Sequence, residues 1–161
     1  MNMLKALIAV LTLSFSISSF ALTDEDSLAY TYALTDGDLK VVQKIIKANP
    51  TAINEKSFGW SPVQMASNKN QVAIVKYLIS KGADLNYIHP IAHHTAFHLA
   101  AFNGATETMK VLASGGADVN IKLKGDVSLI RYFRDDGNQK MLELLKELGV
   151  KDDGCLEEKC F

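Results

Sequence analysis

Ser61 to Asn86 reads SPVQMASNKNQVAIVKYLISKGADLN, and Thr95 to Asn120 reads TAFHLAAFNGATETMKVLASGGADVN. The two stretches align without a gap at an offset of 34 residues. In each, a short apolar segment stops at Asn70 or Gly104, residue types that accept the left-handed backbone needed to end a helix and turn the chain. A second apolar segment follows, with Val72, Val75, Leu78 and Ile79 in one copy and Met109, Val111 and Leu112 in the other at helical spacing. Ser61 and Thr95 stand where N-caps belong, and Pro62 suits a first helical turn. The small pairs Ala66-Ser67 and Ala100-Ala101 predict close approach between neighbouring helices.

Two weaker copies flank these, Ala33 to Asn54 and Val127 to Val150, so the turn residues Gly37, Asn70, Gly104 and Gly137 recur every 33 or 34 residues. One helix pair has too little core to stand alone; stacked copies share a continuous one. The pattern resembles the ankyrin repeat, with its Thr-Pro-Leu-His opening, small pair, turn glycine and closing Gly-Ala-Asp-x-Asn. Departures are Ala96 for Pro, Gln64 for His, and Tyr132-Phe133 where small residues are expected in the fourth copy. The resemblance implies an all-α ankyrin-repeat solenoid of about four helix-turn-helix repeats, approximately 27–54, 55–86, 87–120 and 121–150. Segments 55–60, 87–94 and 121–126 become the hairpin fingers between repeats, and polar outer faces on the terminal copies cap the stack.

The ends of the chain differ from this domain of 22–150. Lys5 precedes an almost wholly apolar run, Ala6 to Ile17, and Ser19-Phe20-Ala21 offers small residues at the positions a signal peptidase reads. An apolar run of that length is short for a bilayer, which asks for about 20 residues. A cleaved signal over 1–21, and a periplasmic or secreted location, is the expectation; an uncleaved anchor is the alternative. Both cysteines, Cys155 and Cys160, fall in the tail 151–161, where an oxidising compartment favours a local disulfide. Residues 22–161 carry 16 basic and 18 acidic side chains, which gives no electrostatic footprint for nucleic acid.

No phosphate-cradling loop, nucleophile elbow or metalloprotease motif is present, so neither enzymatic activity nor a cofactor is expected. The four histidines, His89, His93, His94 and His98, fall within ten residues, and His89, His93 and His94 are candidates for zinc, copper or haem. Adjacent His93 and His94 would point in opposite directions along an extended finger, which argues against chelation. The resemblance gives His98 a structural role, tying finger to helix. It also implies the outward, partner-binding positions: Ser57, Phe58, Trp60, Asn68 and Lys69 in the second copy, Ile91, Ala92, His94, Phe102 and Asn103 in the third, and Leu123, Lys124, Asp126, Arg134 and Asp135 in the fourth. Large apolar groups there call for a protein partner; the alternative is that Phe58 and Trp60 fold back on Tyr87 and the adjacent finger as hairpin packing. The chain is similar to exported bacterial ankyrin proteins of the immunity and inhibitor type. That likeness implies a binder that occludes a secreted or periplasmic enzyme or toxin; the alternatives are a periplasmic scaffold or assembly factor for envelope or oxidative-stress functions, and a metal or haem binder acting through the histidine finger.

Overall fold

The computed structural model describes residues 22–155. The expected signal segment 1–21 and the expected Cys155–Cys160 bond, through Cys160, lie outside the described residues. Among the described residues the elements are α1 (Asp24–Asp36), α2 (Leu39–Ala48), a 3-10 turn (Pro50–Asn54), α3 (Pro62–Asn68), α4 (Val72–Ser80), α5 (Ala96–Phe102), α6 (Thr106–Ser114), α7 (Leu129–Asp135) and α8 (Gln139–Glu147), with two isolated β-bridges and no β-strand. They form four helix pairs. Each pair turns at the expected residue, with φ of 92° at Gly37, 55° at Asn70, 62° at Gly104 and 71° at Gly137.

The caps set the register of the copies. Ser61, Thr95 and Ser128 each accept a hydrogen bond from the backbone N–H three residues on, which satisfies a donor that the helix leaves free. The first copy departs from this. Its inner helix begins before Ser27, because Thr23 accepts from Asp26 N and caps an extra turn that opens on the acidic residues Asp24, Glu25 and Asp26.

Small residues decide how closely neighbours pack. Ala66, Ser67, Ala100 and Ala101 are all buried, and α3 lies close to both α1 and α5. The outer helices α2, α4 and α6 follow the same order, and one apolar core runs from Tyr30 through Leu34, Val75, Leu78, Phe97, Met109 and Leu112 to Leu145. The fourth copy corrects the sequence alignment by one residue: counted from Ser128, the small-pair positions hold Phe133 and Arg134, not Tyr132 and Phe133. The bulk of Phe133 keeps α7 from approaching α5 as closely as α5 approaches α3. Aromatic rings fill the difference, with Phe102 5.1 Å from Tyr132 and 6.2 Å from Phe133.

A ladder of asparagines ties each copy to the next. Asn54 Oδ1 accepts from Asp84 N at 2.9 Å, Asn86 Oδ1 from Asp118 N at 2.8 Å and Asn120 Oδ1 from Lys151 N at 2.8 Å. Each rung satisfies a loop N–H and fixes the spacing of two repeats. Asn86→Ala is therefore expected to lower stability by about 1 kcal/mol and to raise amide exchange at Asp118 before exchange elsewhere. Urea denaturation with hydrogen-exchange mass spectrometry checks both; uniform loss of protection would count against a local rung.

Candidate functional site

In the two central copies the residue three positions after the cap reaches into the next finger. Gln64 accepts from Ser61 N through Oε1 at 2.9 Å and donates from Nε2 to Tyr87 O at 3.1 Å and His94 O at 2.7 Å. His98 does the same with one ring: Nδ1 accepts from Thr95 N at 3.0 Å, so the proton sits on Nε2, which donates to Ile121 O at 2.8 Å. Burial, opposed by the Ile121 hydrogen bond and helped by nearby His94, lowers the His98 pKa to about 4. The imidazole is neutral and structural.

The fingers held this way differ at their tips. In the first, Ser57 and Trp60 pair across a tight turn, with Ser57 N to Trp60 O at 3.0 Å and Trp60 N to Ser57 O at 2.9 Å. Phe58 at its tip is 94% exposed. Trp60 is half-buried, and its ring centroid lies 3.9 Å from that of His89. Tyr87 is instead covered by Lys56, whose Nζ stands 4.7 Å from the ring centre. In the second finger His89 is buried and Ile91 is 84% exposed. His93 is left-handed, with φ 56°, so it does not alternate with His94 along an extended strand. It is exposed, while His94 is half-buried with its ring 5.0 Å from Phe102. Burial, helped by His89 and His93, lowers the His94 pKa. Among the described residues no group of three or more His, Cys, Asp or Glu is placed to hold a metal ion.

The other sequence candidates fall into two sets. Asn68, Lys69, Asn103 and Lys124 are exposed, and Asn103 Nδ2 donates to Asn68 Oδ1 at 3.0 Å, linking neighbouring inner helices. Phe102 is half-buried in the aromatic cluster with His94, His98, Tyr132 and Phe133. Arg134 does not stand with the outward residues: at the small-pair position it turns to the tail, bonding Asp152 at 2.8 Å and Cys155 O. The aligned outward positions of the fourth copy are Asp135 and Asp136. Sequence reading passed over Leu28, Tyr32 and Ile88, all exposed apolar groups; Tyr32 occupies the position equivalent to Met65, Leu99 and Tyr132, a signal available once the turns are aligned.

The family model "Ankyrin repeats (3 copies)" matches residues 30–122. The chain is 25% identical over 123 residues to ankyrin repeat, SAM and basic leucine zipper domain-containing protein 1 of Carollia perspicillata, covering 74% of this chain and 26% of that one. It is 27% identical over 143 residues to transient receptor potential cation channel subfamily A member 1 of Homo sapiens, covering 86% and 12%. Ankyrin repeat and SOCS box protein 3 of Bos taurus is 32% identical over 90 residues, covering 55% and 17%. The chain thus spans about a quarter or less of each relative. Among the described residues no helix is long and apolar enough to cross a membrane.

Proposed function

Since this chain belongs to the ankyrin-repeat family and is a protein–protein interaction module, we propose that it is exported and occludes a secreted or periplasmic enzyme or toxin. The observation that carries the reading is the pair of nearly bare apolar tips, Phe58 and Ile91, on neighbouring fingers. Exposed apolar area of that kind is favourable to bury against another surface. Catalysis is not needed for such a role, which asks for a stable scaffold and an anchor-bearing face. The apolar leader 1–21 supports export, and cysteines confined to the tail support an oxidising destination.

The protein is purified from the exporting cell's periplasmic fraction and added to each lipase, nuclease and peptidoglycan hydrolase encoded beside its gene. Inhibition of one of them at equimolar ratio, with a complex on size exclusion and a mature chain starting near Leu22, is the expected result. Full activity of all of them with no complex would overturn occlusion. A complex that leaves the enzyme active would favour a scaffold instead.

A further inference from the structure

The first two fingers are locked together in a way that serves their tips. The turn at Ser57 to Trp60 places both central residues in the left-handed region, Phe58 at φ 51° and Gly59 at φ 81°. A two-residue hairpin of that type favours Asn-Gly. A bulky phenylalanine in the first position is strained, and its side chain, fully exposed, gains no packing in return.

The second finger is set by His89. Its Nδ1 accepts from Ile91 N at 3.2 Å and Ala92 N at 3.0 Å, and backbone bonds from His89 N to His94 O and from His93 N to His89 O close the loop. The ring leans on Trp60, and its Nε2 faces Gly59, where an added Cβ would come within 3.0 Å. That nitrogen has no hydrogen-bond partner among the described residues, so Nδ1 and the Trp60 contact fix the ring. Trp60 thus closes the turn that carries Phe58, through its backbone bonds to Ser57, and His89 accepts from the N–H of Ile91.

From this we infer that the two fingers are one preorganised wedge, with Phe58 and Ile91 as its points and Trp60–His89 as its brace, and that it fits an uncharged apolar recess of a protein partner. The inference rests on the protein-binding reading above and adds what the partner presents. Between Tyr87 and Thr95 the chain holds no Asp, Glu, Lys or Arg, so charge cannot direct recognition there. An anionic bilayer surface would reward cations at the tips, whereas the one cation of the first finger, Lys56, lies over Tyr87. Rigid tips also lose less freedom on binding. Here Trp60 and His89 are positioning residues.

The test measures affinity for the inhibited neighbouring enzyme and co-sedimentation with phosphatidylcholine vesicles, with and without phosphatidylglycerol. Phe58→Asn and Ile91→Ser should each weaken the complex at least about tenfold, while Phe58→Asn melts no lower than the parent. His89→Ala should weaken it as well, and His89→Asn should restore part, because its Oδ1 can accept from the same two amides. Raising salt tenfold should change affinity less than about threefold, and vesicles should not bind. Parent-like binding by both tip variants, steep salt dependence, or vesicle binding lost in Phe58→Asn would overturn the wedge. Absence of any complex with the parent protein overturns the protein-binding reading and the wedge with it.

Discussion

Replacing His98 with glutamine is expected to remove most of the protein's loss of stability between about pH 6.5 and about pH 4. The folded imidazole has a depressed pKa, so over that interval the unfolded chain binds a proton that the native state refuses. Stability is therefore full above the ordinary histidine value and falls as the pH drops toward the folded one. The whole interval corresponds to about 3 kcal/mol at most. Geometry gives the same sign: a second proton can go only on Nδ1, which already receives the Thr95 N–H. Protonation at that nitrogen abolishes the cap bond and leaves a charge in a buried site.

Gln64 shows why glutamine is the informative replacement. At the equivalent position of the preceding copy it accepts the cap N–H and donates to the next finger without titrating. His98→Gln should therefore lie within about 1 kcal/mol of the parent at neutral pH and fall less steeply in acid. Urea midpoints at three values of pH across the interval read this directly. Parallel curves for the two proteins would mean that acid sensitivity lies elsewhere.

The same residues show what could be read in advance. The period, the caps Ser61 and Thr95, the turns and the three fingers were legible because each depends on residues close in sequence. The brace between Trp60 and His89 was not, because nothing local pairs side chains 29 positions apart. The exposure of Phe58 was legible as an outward position. Its left-handed backbone was not, since Phe-Gly is an unusual occupant of a turn that favours Asn-Gly. The fourth copy was misaligned by one residue because its small pair is replaced, and a reader matching residue types rather than cap positions slides along the aromatic run.

The tail was read only for its two cysteines, and the sequence did not reveal the structural role of Asp153. Asp153→Ala is expected to cost about 2 kcal/mol and to fray the fourth copy first. Gly149 to Asp153 repeats the spacing of Gly82 to Asn86 and Gly116 to Asn120, so the tail enters the place of a further finger. Arg131 holds the position of Gln64 and His98, but a guanidinium has no acceptor to offer the cap N–H. Asp153 supplies it from the tail: Oδ2 accepts from Ser128 N at 2.9 Å and stands 3.3 Å from Arg131 Nε, with the two side chains 6% and 14% exposed. Removing the carboxylate leaves both the amide and the half-enclosed cation without it, which is costlier than losing a surface pair. Burial resists ionisation of Asp153, but hydrogen bonds from Ser128 and Cys155 and the charge of Arg131 prevail, and its pKa lies below the ordinary carboxylate value. This contribution is accordingly complete above the ordinary carboxylate range and is lost as the pH falls below it, a lower window than that of His98. Hydrogen exchange at α7 and α8, compared at neutral pH between Asp153→Ala and the parent, should show faster opening there with α3 to α6 little changed. Equal protection of α7 and α8 in the two proteins would show that the tail does not cap the stack.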